Sequence, residues 1–354
     1  MTSTVPFVSV VIPCRNEAPF IGACLDSVLA SDYPSERLEI LVVDGRSADG
    51  TGAIIRDYAA RDARIKLLDN PKGITPAALN TAITVAQGSM ILRMDAHALI
   101  DARYVSRSVE ALQTYGADNV GGNMHTLPRQ KSLLGWAIVS SLSHRFGVGN
   151  SHFRVHSTEP RWVDTVFGGC YRRDVFARVG LFNEALARGQ DMEFNLRLKK
   201  AGGRTLLVPD IVSYYYARAE YGSFCRHNWG NGVWAILPFF NSPIMPVSWR
   251  HLVPLAFVVA VCAMAVLGSF LPVAWWGLVA ILGAYGVLSL LASADVAVQR
   301  RDLRYLLVMP VMFTSLHVAY GLGSLWGVIS GVIRSRFLRP AGSTRARTAS
   351  TEGK

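Results

Sequence analysis

Two long stretches without charged side chains constrain this 354-residue chain more than any other feature. Residues 252–294 and residues 305–333 contain no Asp, Glu, Lys or Arg, and each is longer than the roughly 20 apolar residues that a membrane helix needs. The residues before 250 have the mixed composition of a soluble domain. The sequence therefore predicts one soluble domain followed by a membrane anchor, and it disfavours both a purely soluble enzyme and a purely integral transporter.

The two uncharged stretches predict different membrane elements. The first is long enough for a helical hairpin that turns near Pro272. The second would be about 43 Å long as one helix at 1.5 Å per residue, too long for one untilted crossing and too short for two. Arginines flank it on both sides, so the positive-inside rule does not orient it. A tilted third span and a segment that re-enters near Pro310 and Gly321 both stay open.

Composition along the chain predicts four regions. Aromatic residues are dense between residues 220 and 246, as in segments at a membrane–water interface, and the last residues have the polar composition of a disordered tail. The predicted regions are a cytoplasmic domain over 1–220, an interfacial aromatic segment over 221–250, a transmembrane region of two to three spans over 251–333, and a basic disordered tail over 334–354.

The net charge of +11 is partly concentrated beside the membrane. Residues 334–354 hold six basic residues and one acidic residue, which indicates contact with anionic lipid headgroups or control of topology rather than nucleic-acid binding. Five cysteines without CxxC spacing predict reduced thiols, and the first residues lack a signal-peptide pattern. We therefore expect the soluble domain on the cytoplasmic side of the membrane, where nucleotides are.

Strands and helices alternate in the first part of the chain. Apolar β-branched runs predict strands and helical spacing predicts helices; the strands are 7–13, 39–44, 64–68 and 90–94, and the helices are 17–30, 47–60 and 75–87. Such alternation makes a mostly parallel sheet with helices on both faces, and ligands bind at the carboxyl ends of its strands. The polar residues that follow strands are expected to converge on one edge; they are Arg15, Asn16, Glu17, Asp44 and Asp95.

Later elements have weaker patterns. The predicted elements are a helix over 104–115, an edge strand over 119–125, a loop with a helix over 129–155, a strand over 166–171 and a helix over 191–201.

Four motifs occur in order along the chain: Val10-Val-Ile-Pro-Cys-Arg-Asn-Glu17, Val42-Val-Asp-Gly-Arg-Ser-Ala-Asp-Gly-Thr51, Asp95-Ala-His97 and Gly189-Gln-Asp-Met-Glu-Phe-Asn-Leu-Arg197. Together they resemble glycosyltransferase family 2, the inverting enzymes with a GT-A fold. With the C-terminal spans, the chain is similar to the succinoglycan-biosynthesis type of exopolysaccharide glycosyltransferase. The resemblance covers roughly residues 6–235 and implies an α/β nucleotide-sugar-binding domain with a Rossmann-like mixed sheet, followed by transmembrane helices.

The resemblance implies that the first two motifs bind the nucleotide. A carboxylate at Asp44 can accept hydrogen bonds from a base or ribose, although an Asp at this turn is also a common helix cap. The stretch of Pro13, Arg15, Asn16 and Glu17 wraps the nucleotide in the family, and Arg15 is suited to offset phosphate charge.

Asp95 and His97 are the predicted metal ligands. The family pattern is Asp-x-Asp, and His97 stands where the second carboxylate is expected. A divalent cation stabilises the charge that develops on the leaving diphosphate. Because imidazole is a poorer ligand for Mg²⁺ than for Mn²⁺, we expect Mn²⁺ (or Mg²⁺), with direct coordination by His97 left open.

Asp191 is the predicted general base. An inverting transfer needs a carboxylate to take the proton from the attacking acceptor hydroxyl, as in inverting glycosidases. The family usually has Glu-Asp here, and this chain has Gln190-Asp191. Arg197 is expected to form an ion pair within the site. The alternative role for Asp191 is a solvated residue at a helix start.

Four further residues are predicted to lie near the sugar pocket: Asn80, Gly168, Gly169 and Trp229. Glycines allow close approach of a sugar, and packing is their alternative role, as it is for Asn80. Trp229 lies where processive synthases carry Gln-x-x-Arg-Trp; this chain has Arg226-His-Asn-Trp229, so it is predicted to stack on the acceptor or to anchor in the interface. The altered motif argues against processive synthesis of a homopolymer.

The predicted function is transfer of one hexosyl unit from a UDP-sugar, with UDP-glucose as the first candidate, to a polyprenyl-diphosphate-linked saccharide in exopolysaccharide synthesis. The predicted location is the bacterial inner membrane, with contact to lipids and none to nucleic acid. One alternative is a polyprenyl-phosphate hexosyltransferase, in which a phosphate oxygen attacks the donor. The other is a non-catalytic membrane partner, suggested by His97 and Gln190. The sequence does not indicate the sugar, the linkage or the oligomeric state.

Overall fold

The computed structural model describes residues 5–186, 188–241 and 249–337. Within these ranges one sheet contains nine strands: β1 (Val8–Cys14), β2 (Leu38–Asp44), β3 (Ile65–Asp69), β4 (Met90–Arg93), β5 (Ala98–Ile100), β6 (Asn119–Pro128), β7 (Arg161–Val163), β8 (Cys170–Arg172) and β9 (Thr205–Ala217).

Eleven helices accompany the sheet and three follow it in the described chain. The first group is α1 (Ile21–Leu29), α2 (Thr51–Arg61), α3 (Thr75–Val85), α4 (Tyr104–Tyr115), α5 (Leu133–Ser143), α6 (Arg145–Val148), α7 (His152–Val155), α8 (Asp174–Val179), α9 (Gln190–Lys200), α10 (Tyr221–Ile236) and α11 (Pro238–Asn241). The second group is α12 (Val253–Gly268), α13 (Val273–Arg300) and α14 (Tyr305–Phe337). Single 3₁₀ turns lie at Ser35–Arg37 and Trp249–His251.

The sheet is mixed, with the order β3-β2-β1-β4-β8-β6-β9-β5 and with β7 paired to β9. Strands β1 to β4 are parallel, whereas β8 pairs antiparallel with both β4 and β6. Helices α1 and α4 pack on one face, and α3, α8 and α9 pack on the other. Every residue of β1 is buried, as expected for a strand covered on both faces. The predicted Rossmann-like mixed sheet is confirmed.

The second half of the sheet differs from the sequence-based expectation in three places. The strand predicted at the edge over 119–125 is the longer β6, and it lies inside the sheet between β8 and β9. The 13-residue β9 was not predicted, because Pro209 and Asp210 interrupt its apolar pattern. The strand predicted over 166–171 is reduced to β8, because Gly168 and Gly169 have φ angles of 68° and 105°, which a strand does not accommodate.

Helices α12, α13 and α14 lie in segments long and apolar enough to cross a membrane: Trp249–Gly268, Val273–Arg300 and Tyr305–Ile333. The pair α12 and α13 forms the predicted hairpin, with Pro272 just before α13. Helix α14 is continuous past Pro310 and Gly321 and does not turn back at either residue. Its backbone is helical to Phe337, past the predicted boundary at residue 334; the rest of the predicted tail, residues 338–354, lies outside the described chain.

Helix α10 lies within the segment predicted to be interfacial, and it packs along α14. A Cβ atom on Gly232 would lie 2.0 Å from the Tyr320 carbonyl oxygen, and one on Gly323 would lie 2.2 Å from the Trp229 carbonyl oxygen. Such small residues let two helix backbones approach closely. Because α10 directly follows the strand that ends in Ala217, this contact joins the sheet domain to the apolar helices; residues 242–248 of the predicted interfacial segment lie outside the described chain.

Candidate functional site

The loops after β1 and β2 lie side by side at one edge of the sheet. The parallel register pairs Cys14 with Asp44, so the residues that follow both strands are neighbours. Asp44 Oδ1 accepts hydrogen bonds from the backbone N–H and the hydroxyl of Ser47, at 3.2 and 2.5 Å. Asn16, with a φ of 55°, accepts from the N–H of Ala48 at 2.9 Å. The two loops therefore hold each other in place.

The other residues predicted for the nucleotide have different surroundings. Arg15 is exposed, and its Nη1 donates to the Gly73 carbonyl at 3.1 Å. The backbone N–H of Glu17 donates to the Thr51 hydroxyl at 2.8 Å, while its side chain reaches the next strand end. Pro13 is buried within β1. Its predicted contact with a nucleotide stays a prediction.

A buried arginine joins the two carboxylates predicted for metal binding and catalysis. Arg93, at the end of β4, is 7% exposed. Its Nη2 atom lies 2.8 Å from Asp95 Oδ1, and its Nη1 atom lies 3.5 Å from Asp191 Oδ2. Burial alone would lower the pKa of Arg93, but the charges of Asp95 and Asp191 raise it overall. The guanidinium therefore stays charged and forms ion pairs with both Asp95 and Asp191.

His97 forms the next contact along this edge. Its Nδ1 atom lies 2.9 Å from Glu17 Oε1, and its ring meets the edge of Tyr215 with centroids 5.3 Å apart. Burial lowers the pKa of His97, but the hydrogen bond to Glu17 and the charge of Asp95 more than offset it and raise the pKa overall. The contact between His97 and Glu17 thus links the loop after β4 to the loop after β1.

The surroundings of Asp95 and His97 fit a divalent cation. Within the described residues, Asp95 Oδ2 and His97 Nε2 make no hydrogen bond. Glu17 orients the imidazole of His97 through its Nδ1 atom, as carboxylates do for metal-bound histidines. No group of three or more His, Cys, Asp or Glu side chains that could hold a metal occurs in the part of the chain that the structure describes. Substrate oxygens and water would complete the coordination of a bound cation.

A cavity of about 1220 Å³ opens beside these groups and is lined by Asp95, His97 and Asp191. It extends past α6, α7 and α10 to side chains of the three C-terminal helices, including Phe257, Leu288 and Leu316. One continuous space therefore connects the carboxylates to the apolar helices.

Two residues predicted for the sugar pocket lie outside this cavity lining. Asn80 is 9% exposed; its amide donates to the Phe182 carbonyl at 2.9 Å and accepts from the Phe182 N–H at 2.9 Å. Arg197 pairs with Glu193 at 2.7 Å and also donates to the carbonyls of Val179 and Leu181. Both side chains hold residues 179–182 in place, and their predicted place near the sugar stays a prediction.

Gly168, Gly169 and Trp229 also lie outside the cavity lining. A Cβ on Gly168 would lie 2.9 Å from the Arg93 carbonyl oxygen, and one on Gly169 would lie 2.6 Å from Asn119 Oδ1. These glycines let the chain pack against β4 and β6, which is the alternative that the sequence left open. Trp229 is 40% exposed on α10, whereas its neighbours His227 and Asn228 line the cavity.

Several residues in and beside the cavity were not found from the sequence. Arg93 had a local signal, since it is a charged residue inside an otherwise apolar strand. No local pattern distinguishes four other basic residues of the cavity lining; they are Arg154, Arg188, Arg218 and His227.

Comparisons with known proteins identify the class of enzyme to which this fold belongs. The family model for glycosyl transferase family 2 matches residues 9–180, and the succinoglycan biosynthesis protein ExoA of Rhizobium meliloti (strain 1021) is 31% identical over 276 residues, which cover 72% of this chain and 82% of that protein. The chain belongs to glycosyltransferase family 2. Its predicted family and its predicted enzymatic class are confirmed.

Three further comparisons extend this likeness. Glycosyltransferase AglE of Haloferax volcanii is 32% identical over 62% of this chain and 69% of its own. The dolichyl N-acetyl-alpha-D-glucosaminyl phosphate 3-beta-D-2,3-diacetamido-2,3-dideoxy-beta-D-glucuronosyltransferase of Methanococcus voltae is 25% identical over 92% of this chain and 98% of its own. The solved structure of mannosyltransferase PcManGT from Pyrobaculum calidifontis, in complex with GDP-Man and Mn²⁺, has a TM-score of 0.59 at 20% identity and covers 95% of this chain and 89% of that one. This likeness confirms the GT-A type of fold.

Proposed function

We propose that the protein is an inverting glycosyltransferase that transfers a hexosyl unit from a UDP-sugar to a lipid-linked saccharide in cell-surface polysaccharide synthesis. The observation that carries the proposal is the ion-pair bridge from Asp95 through Arg93 to Asp191, at one end of a cavity that reaches the apolar helices. Relatives named for succinoglycan biosynthesis and for a dolichyl-phosphate-linked sugar support a lipid-linked acceptor. UDP-glucose is our first candidate donor.

The donor nucleotide is proposed to bind at the loops after β1 and β2. Arg15 is exposed there, so its guanidinium is available to a phosphate. Asp44 already accepts from Ser47 through Oδ1, and its remaining acceptor capacity suits a ribose hydroxyl or a base N–H. Asn16 and Glu17 keep these two loops together through their contacts with residues 47–51.

Asp95 and His97 are the proposed ligands for Mn²⁺ or Mg²⁺. A bound cation would offset the negative charge that grows on the diphosphate as the glycosidic bond breaks. Arg93 holds Asp95 Oδ1 and leaves Oδ2 for coordination, and Glu17 holds His97 through Nδ1. The Mn²⁺ in the mannosyltransferase structure supports this choice of metal.

Asp191 is the proposed general base. Its carboxylate lines the cavity, and Arg93 with the N–H of Met192 orients both of its oxygens. In the proposed step, the acceptor hydroxyl transfers its proton to Asp191 while its oxygen attacks the anomeric carbon. The bond from that carbon to the diphosphate breaks at the same time, which inverts the configuration.

We propose a bacterial cytoplasmic membrane location, with residues 1–220 as the catalytic domain on the cytoplasmic side. The three apolar helices support membrane insertion. Arg250 and the cluster Arg300, Arg301 and Arg304 lie at the ends of α12 and α13 that are joined to the catalytic domain and to α14, which matches the preference of basic residues for the cytoplasmic side. Such an anchor raises the effective concentration of a membrane-bound acceptor.

A polyprenyl-phosphate hexosyltransferase is the second candidate. The arginines of the cavity favour it, because they offer charge to a phosphate acceptor. In that reaction a phosphate oxygen attacks the donor and requires no strong base. Loss of the Asp191 carboxylate would then have little effect on activity.

The first test is release of the nucleoside diphosphate (UDP or GDP) by the detergent-purified full chain with Mn²⁺, for a panel of UDP-sugars and, as a comparison, GDP-mannose. Each donor is assayed with and without a lipid-linked saccharide extract. We expect release from one UDP-sugar that requires the extract. Release from GDP-mannose alone would overturn the UDP assignment, and failure to bind or cleave any donor with any metal would favour a non-catalytic partner.

A further inference from the structure

The walls of the cavity have an excess of positive charge. Seven Lys or Arg side chains line it, against three Asp side chains. All three carboxylates are already paired: Asp95 and Asp191 with Arg93, and Asp164 with Lys199 at 2.7 Å. In the described chain, most of the remaining cations in this lining therefore have no carboxylate partner.

Four of these basic residues come together from separate elements, and we refer to them as the arginine pocket: Arg154 on α7, Arg188 before α9, Arg218 after β9 and His227 on α10. Within the described residues none of them has a carboxylate oxygen within 4.0 Å. Arg154 lies over the Tyr215 ring with its guanidinium carbon 6.0 Å from the centroid, and a Cβ on Gly230 would lie 2.7 Å from Arg188 Nη1.

Buried polar atoms in the arginine pocket lack hydrogen-bond partners. The Nη1 atom of Arg154 and the Nδ1 atom of His227 are both buried without a partner in the described chain. An unsatisfied buried polar atom costs about 1–3 kcal/mol, so a polar ligand that reached these two atoms would be stabilised there. Burial lowers the pKa of His227 to about 4, and the charges of Arg218, Arg188 and Arg154 add to this effect. Arg188 and Arg218 also repel each other, since besides burial the charge of Arg218 lowers the pKa of Arg188, and an anion between them would offset this repulsion.

The apolar end of the same cavity adds a second property. Phe257 on α12, Tyr285 and Leu288 on α13, and Leu316 on α14 line it there. Arg154 is also close enough to Arg250, at the start of the first apolar segment, for the two charges to influence each other. The arginine pocket thus lies between the carboxylates and the membrane helices.

We propose that the arginine pocket binds the phosphate of a prenyl-linked acceptor, whose hydrocarbon chain follows the apolar side chains of α12, α13 and α14. This inference rests on the proposed function. A phosphate supplies acceptor oxygens for the guanidinium N–H groups and neutralises the excess charge. The apolar helices supply the surface that a prenyl chain needs. A nucleotide diphosphate shares the phosphate chemistry, so the test must separate the two sources.

The test measures binding of citronellyl phosphate, inorganic phosphate and UDP to the full chain in detergent. The variants are Arg154→Gln and Arg218→Gln. The matched control is Arg226→Gln, which removes a charge from α10 one residue before His227, outside the cavity lining. We expect citronellyl phosphate to bind about tenfold to a hundredfold more weakly to both variants, because a charge-assisted hydrogen bond contributes about 1.5–3 kcal/mol. Binding of UDP in the presence of Mn²⁺ should change by less than about twofold, because the nucleotide is proposed to bind at the loops after β1 and β2.

Three results would overturn the proposal. Citronellyl phosphate could bind both variants as it binds the wild type, or UDP could lose affinity equally, which would assign the arginine pocket to the donor. If the wild type bound inorganic phosphate as tightly as citronellyl phosphate, the apolar side chains of α12, α13 and α14 would not contribute to binding. Arg218 is exposed, so its variant remains informative if Arg154→Gln does not fold. Wild-type chain that binds citronellyl phosphate but releases no UDP from any donor would contradict the proposed function and not this site.

Discussion

The two ends of the cavity have opposite charge and are built in opposite ways. At the end near the sheet, Asp95 and Asp191 share the buried Arg93, and Glu17 pairs with His97. Further along the cavity, towards the apolar helices, the arginine pocket holds four basic groups and no carboxylate among the described residues. The carboxylates of the first end have cationic partners, whereas the arginines of the second would gain a partner only with an anionic ligand.

This difference suggests a division of work between the two substrates. Compensated carboxylates are held in fixed positions, as catalysis requires. Uncompensated arginines favour a mobile anionic substrate that arrives and leaves. Substitutions at the two ends should therefore change different kinetic constants, and the following variants test this from the largest expected effect to the smallest.

Replacement of the proposed base should have the largest effect. We expect Asp191→Asn to lower kcat for transfer by about 10²- to 10⁴-fold, the usual contribution of a general base, while UDP binding is retained. Steady-state assays of transfer to a lipid-linked saccharide measure this. Asp174→Asn is a matched control, because Asp174 also lies in the first turn of a helix but is exposed and outside the cavity lining. Equal activity of Asp191→Asn and wild type would favour a phosphate acceptor.

Removal of the shared arginine should have the next largest effect. We expect Arg93→Lys to lower kcat by about tenfold to a hundredfold, because one ammonium group cannot bridge Asp95 and Asp191 as the guanidinium does. The KM for the acceptor should change little if the two ends are separate. The exposed Arg103→Lys serves as the control. A fall in kcat that is matched by an equal loss of folded protein would reduce Arg93 to a structural role.

A change in the contact between α10 and α14 should act on the membrane end alone. Gly232→Ala places a Cβ 2.0 Å from the Tyr320 carbonyl, and overpacking of this kind costs about 1–3 kcal/mol. Because α10 carries His227, we expect a higher acceptor KM, a lower unfolding temperature and unchanged UDP binding. Gly222→Ala, on the same helix, meets only Arg226 at 3.6 Å and should be neutral. Loss of UDP binding in Gly232→Ala would show that the two ends are coupled.

The smallest effect concerns pH. The pKa of His227 is lowered from 6.5 to about 4 by burial and by Arg218, Arg188 and Arg154, with His97 adding a smaller effect. Above pH 6.5 the imidazole is neutral in both folded and unfolded chains, so it contributes nothing to pH dependence. As the pH falls towards 4, the unfolded chain binds a proton that the folded chain excludes, and stability is lost. Thermal unfolding of His227→Gln should therefore show a smaller decrease below pH 6.5 than wild type; identical profiles would contradict the placement of His227 among these cations.

The parts of the fold that could be predicted are those that local patterns encode. Strands β1 to β4 follow from apolar runs, and the polar residues at their ends lie on one edge because parallel strands end together. The contact of Glu17 with His97 was not predicted, since no spacing rule links residues 80 positions apart. The length of β9 was missed because Pro209 and Asp210 look like a loop.

The arginine pocket could not be predicted for the same physical reason. Its members lie on a four-residue helix, a loop, a strand end and the middle of α10, and only the packing of these elements brings the charges together. Arg93 was recognisable as a charge in an apolar strand, but its second partner, Asp191, is 98 residues away. Local sequence patterns thus predict the residues proposed to bind the donor better than those proposed to bind the acceptor.

The most direct test of this division is a pair of titrations on two variants of the full chain. Asp95→Asn and Arg218→Gln are each titrated with UDP in the presence of Mn²⁺ and with citronellyl phosphate. We expect Asp95→Asn to weaken only the binding of UDP and Arg218→Gln to weaken only the binding of citronellyl phosphate, each by about tenfold or more. Parallel losses of both ligands in either variant would contradict this division, because the cavity would then be one anion site rather than two.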